Sequence, residues 1–266
     1  MDRPSFSIVT PCLNAARTLP VTLESVSSQD YPAVEHIIVD GGSTDGTLDL
    51  LERSHGIRWI SEPDRGLSDA VNKGIRMAKG DLIGWLNADD LYRPGALAAV
   101  AEAFAGRPSA EWAFGRCGII DANEHEIRSA VTVYKNFFLR RYSFALHLTH
   151  NFVSSPATFV KRSAFDQVGL FDERFKYSMD YDVWLRLGRR GRPIFINAEL
   201  AVFRMAEGSL SMSGFETQFV EHFESAQPYA GEHPFAVRAN AVISRLITLT
   251  YRTMRFLRGR TTEQTA

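Results

Sequence analysis

GDLIGWLNADD, residues 80–90, is an apolar run that ends abruptly in an amide, a small residue and two adjacent carboxylates. Leu82, Ile83, Gly84, Trp85 and Leu86 have no polar face, which predicts a strand covered on both sides in a mostly parallel sheet. Ligands of such sheets bind at the carboxyl ends of the strands, where Asn87, Asp89 and Asp90 stand. Asp89 and Asp90 repel each other, so a cation, a donor network or water has to offset their proximity. A divalent metal carrying a phosphate is the sharpest form of that requirement. Taken alone, the stretch also reads as plain structure, with Asp90 capping a helix over residues 92–97 and Asp89 solvated in the turn.

The stretches on either side repeat the pattern. Residues 6–10 are a short β-branched run closed by Pro11, and residues 16–28 carry Leu19, Leu23 and Val26 near helical spacing. Asn14 lies in the loop between them, where a strand-end amide contacts a base or ribose or simply forms the turn. Residues 35–40, EHIIVD, form a second strand that ends in Asp40, before the glycine-rich turn GGSTDGT. That turn lacks the GK[ST] ending of a phosphate-binding loop and is not a GxGxxG fingerprint; Ser43, Thr44 or Asp45 serves it as a helix cap. Asp40 suits a ribose hydroxyl or the edge of a uracil-like base. A third strand over residues 57–61 precedes Asp64 and Arg65, a charged pair placed to meet a nucleotide or to form a surface ion pair. The helix over residues 67–78 then carries Asn72, facing solvent or ligand.

Further along, residues 112–120 read as a strand that completes the sheet and residues 121–133 as a turn and strand. Residues 134–151 have no clear periodicity. His147 and His150 lack acidic or cysteine partners at ligand spacing, so they read as packing histidines. In FDERFKYSMDYDVWLRLGRR, residues 171–190, Asp180 opens a helix with Val183, Trp184, Leu185 and Leu187 on its core face; capping alone also accounts for it. Residues 193–197 and 201–205 read as two closing strands, with Arg204 leading into a polar turn. Residues 236–257 form a basic amphipathic helix, with Val242, Leu246, Leu249 and Met254 as its stripe and arginines around it. Such a helix docks on anionic lipid or packs on its own domain.

Composition sets the outer limits. A chain of 266 residues, 45% hydrophobic and 23% charged, can bury one large α/β core, and a net charge of -1 gives no reason to expect nucleic acid. The N-terminus has no long apolar segment and runs into a strand, so a cytoplasmic protein is expected. Cys12 and Cys117 are too few for a disulfide framework or zinc site, and neither suits a nucleophile.

Six segments taken in order resemble the family-2 glycosyltransferases of the GT-A fold that build bacterial cell-envelope polysaccharides and glycolipids. They are FSIVTPCLNA, IIVDGGSTDGT, EPDRGLSDAVNKGIRMAKGD, LNADD, SSPATFVKRSAFDQVGLFDE and MDYDVWLRL, within residues 6–211. The resemblance implies a Rossmann-like α/β fold with a mixed, mostly parallel sheet flanked by helices. It implies a GT-A domain over residues 1–212, with a nucleotide-sugar half to about residue 120 and an acceptor half over 121–212. C-terminal amphipathic helices over 213–266 follow. It further implies a nucleotide-diphosphate-sugar donor, bound near Pro11, Asn14, Asp40, Asp64, Arg65, Asn72, Asn87, Asp90 and Arg204. Asn87-Ala88-Asp89 falls where the family places an Asp-x-Asp metal motif, so Asp89 becomes the main ligand of a Mg²⁺ or Mn²⁺ ion and Asn87 offers one oxygen. Asp180 matches the catalytic base of an inverting transfer to a hydroxyl of a lipid-linked or polysaccharide acceptor. The family's usual Glu before the base is Met179 here, and the His that often follows Arg204 is missing. Peripheral association with the inner face of the plasma membrane through the basic helix completes the expectation. Two alternatives stay open, a non-catalytic nucleotide-sugar-binding or partner module and a sugar nucleotidyltransferase. The second would need a basic glycine-rich loop, and Arg17 is the one basic residue in residues 6–28.

Overall fold

The computed structural model describes residues 3–205 and 214–263. Strands β1 (Phe6–Cys12), β2 (Val34–Asp40), β3 (Ile57–Ser61) and β4 (Leu82–Trp85) alternate with helices α1 (Leu19–Ser27), α2 (Thr47–Arg53) and α3 (Leu67–Met77). They pair in parallel in the order β3-β2-β1-β4, with Phe6 opposite both Val34 and Leu82. Successive side chains of β1 point to opposite faces, and each face is covered. Val9 meets Val71 and Ile75 of α3 on one side, whereas Ile8 meets Leu97 and Val100 of α4 (Ala96–Gly106) on the other. Burial on both faces is why these strands read as unbroken apolar runs. β1 continues through Pro11, opposite Val39, to Cys12; a proline near a strand end interrupts little of the ladder.

The sheet does not end at β6 (Trp112–Ile120). Among the described residues eight strands, including β5 (Leu91–Tyr92), β7 (Thr158–Lys161) and β8 (Ile194–Arg204), run in the order β3-β2-β1-β4-β7-β6-β8-β5, with β7 antiparallel between β4 and β6. Residues 193–197 and 201–205 are not two strands: β8 (Ile194–Arg204) is continuous and parallel to β6. The polar Asn197-Ala198-Glu199 step that suggests a break is absorbed by register shifts between Phe114 and Cys117, and Glu199 pairs with Arg93 at 2.7 Å. Leu91 and Tyr92 do not start a helix. They form β5 (Leu91–Tyr92) on the edge against Ala201 and Val202, and α4 starts at Ala96. Gly84 makes this possible, because a Cβ there would lie 2.5 Å from the Tyr92 hydroxyl and 2.9 Å from the Phe159 ring.

Residues 121–133 hold a single bridge, Ile120 to Glu126, instead of a strand. The chain then enters α5 (Ser129–Leu139) and α6 (Phe144–His147). After α7 (Arg162–Val168), α8 (Met179–Arg190) lays Val183, Trp184 and Leu187 on the core, with Trp184 stacked on Trp112 at 5.9 Å. The opposite side of α8 receives α9 (Phe215–Ala226) and the start of α10 (Pro234–Glu263), where Tyr181 and Leu185 pack with Ala226, Tyr229 and Val237. Asn240 donates to the Leu148 carbonyl at 3.0 Å. The first turns of the expected basic helix therefore pack on the domain, whereas Val242, Leu246 and Leu249 are exposed. Met254 and the arginines beyond residue 249, with the polar turn after Arg204 and the 212/213 boundary, lie outside the described residues and side chains. No described helix is long and apolar enough to cross a membrane.

Candidate active site

The carboxyl ends of β1, β2 and β4 lie side by side, and their loops are sewn together. Asn14 adopts a left-handed backbone (φ 51°), and its side-chain oxygen accepts from Thr44 N at 2.8 Å, while its own N–H donates to Ser43 Oγ at 2.7 Å. Ala16 N donates to Asp45 at 3.1 Å, and Asp45 also receives Thr47 N at 3.1 Å, so the acid caps α2 and ties down the first loop. Asp40 anchors this assembly from below. Its carboxylate accepts from Gly42 N and Ser43 N at 3.0 Å, from Ser61 Oγ at 2.7 Å and from Ser43 Oγ. Burial pushes the Asp40 carboxyl up, but these donors outweigh it and hold it below its ordinary range.

With no exposed surface and its oxygens already bonded, Asp40 shapes the loop and presents no open edge to a ribose or base. Gly41 next to it lets the Asp64 side chain approach the backbone closely, because a Cβ there would run into the Asp64 carboxylate. Asp64 uses one oxygen on Gly66 N at 2.9 Å, and no described residue donates to the other. Arg65 turns to Glu173 at 2.8 Å and Asp69 at 3.2 Å, linking α3 to the segment before α8. Asn72 is buried and brackets Phe171, donating to its carbonyl and accepting its N–H, each at 2.9 Å, so its side chain faces the protein interior.

At the end of β4 the amide and the two acids take different parts. Asn87 Oδ1 accepts from Trp85 Nε1 at 2.9 Å, and its Nδ2 donates to Asp90 at 3.0 Å. Asp90 is fully buried and also accepts Arg204 N at 2.9 Å; burial, and then the Asp89 charge, push its carboxyl well up. It caps no helix and has no surface to offer a substrate. Asp89 is partly exposed, and its carboxylate accepts its own backbone N–H; burial pushes it up, and that bond and the Arg204 charge offset this only in part. The Arg204 guanidinium bonds the carbonyls of Asp89 at 3.1 Å, Asp121 at 3.3 Å and Ala122 at 3.4 Å, and pairs with Glu124 at 3.0 Å. Arg204 thus clamps this loop.

The donor set fits a hard divalent cation only in part. Among the described residues no three His, Cys, Asp or Glu side chains converge into a metal cage. At the end of β4, Asp89 is the open carboxylate among the described residues, and Asn87 keeps one oxygen lone pair. That matches a Mg²⁺-like ion held by one or two protein oxygens and otherwise by substrate phosphate and water.

Asp180 stands in the first turn of α8. It accepts from Ser155 Oγ at 2.7 Å, Tyr181 N at 2.7 Å and Asn151 Nδ2 at 3.4 Å, yet burial dominates and pushes its carboxyl up. Ser155, Asn151 and Lys135 of α5, whose ammonium donates to Ser154 Oγ at 3.1 Å, are site residues that sequence reasoning missed. A signal existed for Lys135, since it shares the helix face of the buried Thr132 and Leu139, where an apolar residue is expected. His147 packs among Trp112, Phe152 and Tyr181, as a packing histidine does. Burial raises both thiols, Cys117 to about 12, which excludes a thiolate nucleophile.

The mixed α/β sheet, with loops gathered at the carboxyl ends of β1, β2 and β4, an acid-ended β4 and a second acid on α8, is the arrangement of a GT-A fold. The profile of "Glycosyl transferase family 2" matches residues 7–169. A "PGL/p-HBAD biosynthesis glycosyltransferase" of Mycobacterium tuberculosis is 33% identical over 192 residues, covering 70% of each chain. Among solved structures, Staphylococcus aureus TarS 1-349 in complex with UDP-GlcNAc aligns with a TM-score of 0.66 at 17% identity, covering 84% of this chain and 65% of that one. The mannosyltransferase PcManGT from Pyrobaculum calidifontis, in complex with GDP-Man and Mn2+, aligns with a TM-score of 0.65 at 18% identity, covering 96% and 81%. The structures establish the shared fold. The chain belongs to glycosyl transferase family 2.

Proposed function

We propose that this enzyme transfers a sugar, with inversion, from a nucleotide-diphosphate-sugar to a hydroxyl of a lipid-linked or polysaccharide acceptor in cell-envelope glycan synthesis. The observation that carries this reading is the pair of accessible acids, Asp89 at the end of β4 and Asp180 at the start of α8, on opposite halves of the chain. The acceptor oxygen attacks the anomeric carbon as the bond from that carbon to the diphosphate breaks. Asp180 takes the hydroxyl proton, and Ser155 and Asn151 orient its carboxylate. Asp89 and the remaining lone pair of Asn87 would hold a Mg²⁺ or Mn²⁺ ion, which when bound neutralises charge developing on the leaving diphosphate. Asn14, Gly41 and Asp64 border the space assigned to the nucleoside. The UDP-GlcNAc and GDP-Man bound in the two solved complexes support the donor class.

Peripheral attachment to the inner face of the membrane belongs to the same reading, through exposed Val242, Leu246 and Leu249 with Arg238 and Arg245 on α10. The test is a thermal-shift series with UDP-GlcNAc and GDP-mannose, with and without Mn²⁺. A donor that binds the native state raises the melting temperature. The expected result is a metal-dependent rise that Asp89→Ala abolishes, together with a loss of transfer in Asp180→Asn of about 10²–10⁴-fold. Full transfer by Asp180→Asn would remove the base. A second reading, a nucleotide-sugar-binding module without chemistry, is favoured by Asn87 standing in place of the first acid of the metal motif. Donor binding without hydrolysis or transfer would select it.

A further inference from the structure

Lys135 occupies a position that the reaction as described leaves unused. It lies on the inward face of α5, and among the described residues it makes no ion pair with a carboxylate within contact distance. Its ammonium is fixed by Ser154, and the adjacent Ser155 fixes the Asp180 carboxylate, so consecutive residues of one loop hold the two opposite charges. Burial pushes the Lys135 ammonium down, and the charges that oppose this are Cys117 and Asp180. Burial raises the Cys117 thiol to about 12 and keeps it neutral, which leaves Asp180 as the counter-charge.

The other groups around Asp180 cannot supply a cation. On α6 and the following loop, His147 and His150 are lowered by burial to about 3 and about 4, and His222 of α9 is lowered to about 3. Glu221 of α9 accepts the N–H groups of Lys176, Tyr177 and Ser178 and so brings negative charge to the start of α8. Asp182 is paired with Arg186 at 2.6 Å. From α3, Ser68 meets Met179, and Asp69 is engaged by Arg65 and Lys73. A desolvated carboxylate with no cation in reach takes up a proton and can no longer accept one from a substrate.

We infer that Lys135 is a positioning residue of the transfer reaction: held by Ser154 opposite the Ser155-bound carboxylate, it keeps Asp180 in its charged, proton-accepting form. The inference rests on Asp180 as the base, and its test is read without substrate. The protein is labelled with ¹³C at the aspartate carboxyls, the Asp180 resonance is assigned by its loss in Asp180→Asn, and its midpoint is followed with pH. Lys135→Met removes a charge that lowers the Asp180 carboxyl and should raise the midpoint by a resolvable interval, whereas Lys135→Arg keeps the charge and should leave the midpoint close to its original value. A folded Lys135→Met protein with an unmoved midpoint overturns the inference. Should Lys135→Met not fold, Ser154→Ala releases the ammonium and should move the midpoint in the same direction; no movement there overturns it equally.

In a transfer assay with whichever of UDP-GlcNAc and GDP-mannose stabilises the protein, the acidic limb of kcat/KM should move up by the same interval in Lys135→Met. The donor KM should stay unchanged, because Lys135 acts through Asp180. A lowered rate with an unmoved acidic limb counts against the inference. Asp180→Asn that retains transfer while the titration moves would fail the base and leave the coupling standing.

Discussion

The Asp40 carboxylate receives two backbone N–H groups and two hydroxyls from residues 42–61. An asparagine keeps the shape but turns an NH₂ group toward donors, so Asp40→Asn leaves buried donors unpaired and should destabilise the fold by about 2–4 kcal/mol. The pH dependence has a definite sign. Because the folded-state carboxyl lies below its ordinary value of 3.8, its contribution is present above that value and is lost as pH falls through the folded one. Denaturant unfolding of both proteins at pH 7 and below pH 4 checks this: the difference in stability should shrink in acid. Asn72 and Arg204 follow the same pattern. Their positions at strand and helix ends are legible in sequence, yet their partners, Phe171 and the Asp89, Asp121 and Ala122 carbonyls, lie far away in the chain.

Among the elements, the strand–acid–helix units from β1 to α4 are local objects. An apolar run, a breaker and a periodic stretch sit within a few residues of one another, so periodicity finds them. The segment from residue 121 to 151 is different, because α5 is organised around distant partners. Its buried Leu139 belongs to the same core as Tyr142, Phe152 and Trp112, and its inward Lys135 interrupts the apolar stripe. β8 escaped division only in three dimensions, where β6 shifts register beside Asn197 to Glu199. The centre of β4 shows how tight these layers are. Gly84→Ala places a methyl against Tyr92 and Phe159, and overpacking of this kind should destabilise the protein by about 1–3 kcal/mol, measured by thermal or denaturant unfolding. Since Tyr92 belongs to β5, the same change should weaken the sheet edge that leads to Asp89 and Asp90.

Across the whole molecule, α8 joins the catalytic domain to the C-terminal helices. Tyr181 and Leu185 pack outward on α9 and α10 while Trp184 and Leu187 pack inward, so the helix that carries Asp180 is held from both sides. Docking of α10 rests on Val237 and Asn240, whereas Val242, Leu246 and Leu249 are exposed at 55%, 59% and 62%. Replacing those three by serine should therefore change the melting temperature by only a few degrees, about what surface substitutions produce. The same variant should lose sedimentation with anionic liposomes at low salt. Retained sedimentation would assign attachment to another surface.

The bond from the Arg204 backbone to Asp90 spans 114 residues. A ribosome emits the chain from its amino end, and domains form as their parts emerge. The acid pair at the end of β4 is thus exposed to the cell long before the strand that secures it has been made, and a contact of such sequence separation is slow to close. A half-synthesised chain can have folded β1 to β4 and still lack a finished centre. The Arg204–Asp90 bond is expected only after β8 has been laid between β6 and β5.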